Sequence, residues 1–220
     1  MKPTIGVAVL ILGAIFPSLA VAQVPNLKLH PNGFGPDSYA AWKAKRGQPD
    51  SEGEGDHALY FQKMTATTTV AAGIAVITGF KGQAIPATML TGLSWEHRVD
   101  NGGHCGAGAP RWNVQVTSTT GTKFNLFLGC AAATHTPSPG DPTRWLVDSY
   151  GSPVILTLGA ANTGLTALQL ADILAGTLTG LAIVFDEGTD QGAGFVDLDN
   201  ITVTIGGVSK VWTGPMDNGN

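Results

Sequence analysis

The chain has few charged residues, and its basic residues form no cluster. Charged side chains make up 13% of the 220 residues, with 12 Lys and Arg against 16 Asp and Glu, for a net charge of -4 at pH 7. This pattern argues against nucleic acid and anionic membranes as partners. The sequence contains no Gly-x-Ser-x-Gly motif and its serines are scattered, so we find no candidate nucleophile of the serine-hydrolase kind.

A run of apolar residues long enough to approach a membrane span occurs only at the start of the chain. Lys2 precedes an apolar segment from Ile5 to Leu19, and Ala20-Val21-Ala22 is a small-x-small cleavage site. These features predict a secretory signal peptide over residues 1–22 and no membrane span after cleavage. No lipobox cysteine follows. We therefore expect a secreted protein, extracellular or periplasmic.

The remaining residues, about 200, suffice for one domain with a substantial core. We predict an N-terminal extension or linker over 23–57, a β-sandwich domain over 58–213 and a C-terminal tail over 214–220. The extension is rich in turn formers and loosely structured, with a short helix predicted over 38–45. A second, longer helix is predicted over 165–175, where apolar residues recur with helical spacing.

The central hairpin of the predicted sandwich covers residues 112–128. Apolar residues alternate with polar ones before and after Gly121, which is typical of two antiparallel strands with one buried face. Similar strands separated by turns predict an all-β, antiparallel, two-sheet sandwich of jelly-roll type. An immunoglobulin-like sandwich is the alternative.

Cys105 and Cys130 are the only cysteines, and they bracket this hairpin. In an exported protein the pair predicts a disulfide, worth roughly 3 kcal/mol on the chain-entropy model. The alternative is a zinc site that adds His104 and His135. The cysteine and histidine spacing is not that of a zinc finger, and export favours oxidation.

A polar sheet face is the candidate binding surface. Glu96 and Arg98 alternate with the inward-facing His97, for which we expect a structural role, and Asn113 and Gln115 are expected to continue the surface on an adjacent strand. Guanidinium and amide groups suit the hydroxyl groups of a sugar, although an ordinary solvated face has the same composition. No second carboxylate can be placed opposite Glu96 for glycoside hydrolysis.

Arg111 lies between Pro110 and Trp112, where the glycine-rich loop ends and the buried face begins. A side chain held at the mouth of a strand is expected to pair with a carboxylate and to organise the neighbouring loops. We predict a structural role for it.

The segment 194–207 contains Leu198-Asp199-Asn200-Ile201. It resembles the closing strand of galactose-binding-like jelly rolls, the fold of many carbohydrate-binding modules. The resemblance implies a non-catalytic module that binds extracellular carbohydrate or another surface polymer. A structural subunit of a cell-surface layer or filament is one alternative, and a hydrolase is another. The oligomeric state stays open.

The same resemblance implies a structural calcium ion where the first and last strands meet, with Asp199 as a ligand. Alternation along the strand places Asp197 on the same face. Glu52, Glu54 and Asp56 are the acids best placed to approach Asp199 from the other end of the chain. A calcium ion would neutralise the adjacent carboxylates of Asp197 and Asp199. Alternatively, solvent, backbone N–H groups or an arginine such as Arg111 satisfies Asp199.

Overall fold

The computed structural model describes residues 26–49, 56–106, 108–151, 154 and 164–218. Within these residues the chain forms twelve strands and one α-helix, in the following order: β1 (Lys28–Phe34), β2 (Ser38–Lys43), β3 (Ala58–Lys63), β4 (Ala72–Thr78), β5 (Leu90–Arg98), β6 (Arg111–Thr117), β7 (Lys123–Gly129), β8 (Thr134–Pro137), β9 (Trp145–Tyr150), α1 (Ala167–Leu174), β10 (Thr177–Phe185), β11 (Phe195–Ile205) and β12 (Val208–Trp212).

The strands form two antiparallel sheets. One has five strands in the order β1-β4-β10-β6-β7, and the other has seven, in the order β2-β3-β11-β5-β9-β8 with β12 paired to β11. Their inward faces carry the buried apolar residues, which form one core between the sheets. The prediction of an all-β, antiparallel, two-sheet sandwich with one short helix is confirmed.

The central hairpin contacts the opposite sheet through the side chain of Trp112. β6 and β7 pair in register from Arg111↔Gly129 to Thr117↔Lys123, as their alternation predicts. Trp112 on β6 stacks on Trp95 of β5 in the opposite sheet, with ring centroids 5.1 Å apart. Both indole side chains are fully buried. Stacked aromatic pairs contribute about 0.5–1.5 kcal/mol beyond the area that they bury, so this pair anchors one sheet to the other.

The N-terminal extension contributes a strand to each sheet. β1 pairs with β4 and β2 pairs with β3. The helix predicted over 38–45 is therefore wrong, because residues 38–43 pair with β3 instead and a turn follows at 44–45. The strands β1 and β2 approach each other closely at Gly33, where a Cβ would lie 2.5 Å from the Cα of Tyr39.

The predicted helix is present as α1, but it starts later than the predicted boundary. Thr166 caps it through a reciprocal capping box with Gln169. The predicted signal peptide lies outside the described residues. In the described part of the chain, no helix is long and apolar enough to cross a membrane.

Candidate functional site

The outer face of the five-stranded sheet, called the groove face below, is the candidate binding surface among the described residues. Strand register places Arg111, Asn113 and Gln115 of β6 in one line along this face. Their neighbours on the central strand β10 are Val184, Ala182 and Gly180. These neighbours are a valine, an alanine and a glycine, so little side-chain volume covers the sheet beside Asn113 and Gln115.

Two depressions lie along β10 on the groove face. The larger has a volume of about 610 Å³ and the smaller about 320 Å³. Arg111 and Asn113 line the larger one, and Gln115 lines the smaller. A Cβ at Gly180 would lie 2.9 Å from Oε1 of Gln115, so the glutamine side chain rests directly over the glycine.

The larger depression ends at a wall formed by residues 67–71, between β3 and β4. The buried side chain of Lys63 links this wall to the end of β10. Its ammonium group donates to the carbonyl oxygens of Thr67 and Thr69 at 2.9 Å and of Asp186 at 2.8 Å. Asp190 holds it from the side, because its carboxylate accepts from the amide and the hydroxyl of Thr67. These two bonds lower the pKa of Asp190. The wall is therefore held at Thr67 and Thr69.

The sequence predicts a carboxylate partner for Arg111 without identifying it. In the structure this partner is Asp186, which directly follows β10. The guanidinium makes a forked pair with it, with NH2 2.7 Å from Oδ2 and NH1 in contact with Oδ1. Its Nε donates to Oδ1 of Asn113 at 3.0 Å, and the group lies 5.3 Å from the ring centre of Phe127. Arg111 is thus held in one orientation on the groove face.

The expectation that Glu96 and Arg98 share a surface with Asn113 and Gln115 is wrong. β5 pairs with β11 and β9, whereas β6 belongs to the other sheet, so the two pairs of residues lie on opposite outer faces. Glu96 accepts from the amide of Gln48, and Arg98 binds Asp100 and the carbonyl oxygen of Arg46. Segment 46–48 therefore covers the half of the predicted surface that lies on β5.

The same segment also satisfies the two aspartates of β11. Both oxygens of Asp197 accept from Arg46 at 2.7 Å, and Oδ2 also accepts from Asn101 at 2.6 Å. The hydrogen bond to Asp197 raises the pKa of Arg46, so the charge pair persists at neutral pH. Asp199 accepts from the backbone N–H of Gln48 at 2.7 Å.

These donors do not fit a calcium ion at Asp197 and Asp199, because calcium binds oxygen ligands and is repelled by a guanidinium group. Glu52 and Glu54, the other predicted ligands, lie outside the described residues. Asp56 contributes its carbonyl oxygen to the N–H groups of Arg46 and Gly47. Calcium therefore stays a prediction of the sequence.

We expect the melting temperature to be the same in excess calcium and in EDTA, because Arg46 already neutralises Asp197. A ligand that binds only the folded state must raise stability by mass action. A higher melting temperature in calcium, reversed by EDTA, would restore the calcium site and would show that the ion displaces Arg46. Magnesium at the same ionic strength is the control for screening.

A second polar cluster lies inside the sandwich, around Asp148 of β9. His97, His135 and Trp95 surround its carboxylate, and the disulfide between Cys105 and Cys130 lies beside it, with a Cα–Cα distance of 5.6 Å. His97 is buried, as predicted. His104, the other histidine of the sequence-based zinc alternative, binds Glu187 at 2.6 Å and does not belong to this cluster.

Sequence reasoning did not identify Asp148, Arg46 or Phe127 as functional residues. A detectable signal existed for Asp148: it lies two residues before the buried Tyr150 and therefore on the same inward face of β9, where an aspartate is rarely buried without partners. Arg46 carried no such signal, since its partner Asp197 is 151 residues away.

The sequence matches no protein-family model and no curated protein. Two solved structures are similar in fold. One is described as a xylan-binding domain from CBM 22, with a TM-score of 0.38 and 12% identity over 81% of this chain and 88% of that chain. The other is the C-terminal family 22 carbohydrate binding module of Clostridium thermocellum Xyn10B, with a TM-score of 0.35 and 11% identity over 81% and 87%.

Proposed function

We propose that the groove face binds a neutral carbohydrate chain. The observation that carries this proposal is the line of Arg111, Asn113 and Gln115 beside two depressions, whose floor on β10 is Val184 in the larger one and Ala182 and Gly180 in the smaller one. Guanidinium and amide groups present donors and acceptors in fixed geometry, which suits neighbouring hydroxyl groups on a sugar ring. The floor leaves room for the chain to approach these groups.

The charges of the larger depression favour a ligand without net charge. Its lining contains two cations, Lys63 and Arg111, and two carboxylates, Asp186 and Glu187. Each is already engaged: Arg111 with Asp186, Lys63 with three carbonyl oxygens, and Glu187 with His104. Each charged group of this lining therefore already has a polar partner within the protein.

Aromatic side chains stand at both sides of the groove face. Phe34 of β1 is 48% exposed, and Phe127 of β7 is 43% exposed. The strands β1 and β7 are the two edges of the five-stranded sheet, four strand spacings or roughly 19 Å apart. An exposed ring offers a flat apolar surface for a sugar ring. A ligand that reaches both rings is an oligosaccharide or polymer rather than a single sugar.

Binding has more support than hydrolysis. A glycosidase places an acid and a second carboxylate on either side of the bond that it cleaves. Asp186 is held in a forked pair with Arg111, and Glu187 accepts from the N–H of Gly108 while it contacts His104. The carboxylates that line the groove therefore serve to hold loops in place.

Asn113→Ala and Phe34→Ala should each weaken binding roughly tenfold or more, equivalent to about 1.4 kcal/mol. Asn113→Ala removes an amide from the groove, and Phe34→Ala removes an exposed ring from its edge. Affinity electrophoresis against neutral polysaccharides, xylan and mixed-linkage glucan among them, identifies the ligand, and calorimetry with its oligosaccharides measures the effect. Polygalacturonate is the anionic control.

Val211→Ala is the matched control, since Val211 is 41% exposed on β12 of the other sheet. It should bind like the wild type. Equal affinity of all three variants for the ligand would place the binding site elsewhere. If no polysaccharide is retained and the elution volume falls with rising concentration on size exclusion, the assembly alternative gains support instead.

A further inference from the structure

The carboxylate of Asp148 is fully buried and has three nitrogen partners. Its Oδ2 accepts from Nε1 of Trp95 at 2.6 Å and lies 2.6 Å from Nδ1 of His97. Its Oδ1 lies 2.7 Å from Nδ1 of His135. The side chains of Asp148 and His97 are 0% and 6% exposed, so two imidazole rings meet one carboxylate inside the sandwich.

Strand register explains why these groups meet. Asp148 of β9 is directly opposite Trp95 of β5 on one side and His135 of β8 on the other. His97 follows Trp95 by two residues and therefore shares its face. β8 is the edge strand of its sheet, and the side chain of His135 is 40% exposed. The cluster can therefore be reached from solvent past His135.

The disulfide adds sulfur to this cluster. Sγ of Cys130 lies 3.4 Å from Oδ2 of Asp148, and Sγ of Cys105 lies 3.7 Å from it. A disulfide sulfur carries no proton, so these are contacts rather than hydrogen bonds. One ligand atom each from His97, Cys130, His135 and Asp148 lies within 4.8 Å of the other three.

Two imidazoles, one thiolate and one carboxylate are the ligand types of four-coordinate zinc sites. In the disulfide form, Cys130 has no thiolate to offer, and three ligands remain. In the reduced form the fourth becomes available at the same position. Cys105 is not part of the four-residue group, and it holds the sulfur of Cys130 in the disulfide.

We propose that His97, Cys130, His135 and Asp148 form a site for Zn²⁺ or a similar transition-metal cation that is closed by the Cys105–Cys130 disulfide and opened by its reduction. A dithiol reductant supplies two electrons and two protons and becomes a disulfide itself, while Cys105 and Cys130 become thiols. The cation then displaces the proton of the Cys130 thiol into solvent and binds the neutral imidazoles.

Single serine variants of the full chain test this proposal without added reductant. Cys105→Ser leaves Cys130 as a free thiol, and Cys130→Ser leaves Cys105 as a free thiol. Titration with Co²⁺ as the probe should give thiolate-to-cobalt charge transfer and a tetrahedral ligand-field spectrum in Cys105→Ser. Its affinity should be at least roughly 100-fold higher than that of Cys130→Ser, which lacks the sulfur ligand.

The oxidised wild type should bind Co²⁺ no more tightly than Cys130→Ser does. Adding His135→Ala to Cys105→Ser should lower its affinity. Equal Co²⁺ binding by the two serine variants, or none by either, would overturn the proposal and leave the cluster as a hydrogen-bond network only. If Cys105→Ser fails to fold, the wild type treated with a phosphine reductant takes its place, and the absence of the thiolate spectrum there counts equally against the site.

Discussion

Arg46→Ala should destabilise the protein by about 3–5 kcal/mol, because it leaves the charge of Asp197 buried without its counter-charge. Asp197 is 0% exposed, and Arg46 donates to both of its oxygens at 2.7 Å. The guanidinium also lies 4.7 Å from the ring centre of Tyr60, so the substitution loses packing as well. Urea denaturation followed by circular dichroism at pH 7 measures the change.

Arg144→Ala is the matched control, since Arg144 also donates to an aspartate, at 2.8 Å, but that aspartate, Asp100, has a side chain that is 33% exposed, whereas the side chain of Asp197 is 0% exposed. Surface pairs of this kind contribute about 0–1 kcal/mol. Arg98 and then Arg144 lower the pKa of Asp100 to about 2 from its ordinary 3.8. The contribution of this pair is therefore complete above pH 4 and is lost as pH falls through 2, so it is constant at pH 7. Similar losses in the two variants would contradict the role given to Arg46.

The alternation of apolar residues was sufficient to predict the central hairpin and the closing strand. Both carry their apolar residues on the face that packs in the core, and a side-chain period of two then fixes which residues those are. Trp112 and Leu198 are fully buried where the alternation places them. The strand β2 escaped prediction because Tyr39-Ala40-Ala41-Trp42 contains good helix formers, and pairing with β3 overrides that preference.

Alternation cannot tell which sheet a strand joins. β5 and β6 follow each other in sequence, and neighbouring strands usually pair. Here the segment 99–110, which contains Cys105, carries the chain from one sheet to the other. That crossing separates Glu96 from Asn113, and no local pattern of residues reports it. For this reason Glu96 and Arg98 do not lie on the same surface as Asn113 and Gln115, as the sequence had predicted.

The clusters around Asp148 and Asp197 depend on contacts between distant parts of the chain. Trp95 is 53 residues from Asp148, and Arg46 is 151 residues from Asp197. The sequence showed that Asp197 needs a partner, since two carboxylates share one face. Arg111 was one candidate partner for the neighbouring carboxylate of Asp199, but Arg111 binds Asp186 instead. The need for a partner is a local property, whereas its identity depends on the fold.

Lys63→Met should destabilise the protein by about 3 kcal/mol and should also weaken ligand binding at the groove face. Lys63 is 1% exposed, and its ammonium group is the donor to three backbone carbonyl oxygens, two in the wall at 67–71 and one after β10. Methionine keeps an unbranched apolar side chain one atom shorter than that of lysine, and it cannot donate a hydrogen bond. Each buried acceptor that loses its donor costs about 1–3 kcal/mol, and water entering from the adjacent depression offsets part of this cost.

Lys123→Met is the matched control, since Lys123 is exposed at the start of β7 and the change removes the same charge. Its stability should stay within about 0.5 kcal/mol of the wild type. Denaturant midpoints with unchanged m-values assign the loss in Lys63→Met to stability alone. At a temperature where that variant is still folded, calorimetry should show weaker binding, because the wall is no longer held. Wild-type affinity in a destabilised Lys63→Met variant would mean that the wall does not contact the ligand, which would confine the binding site to the β6 side of the groove.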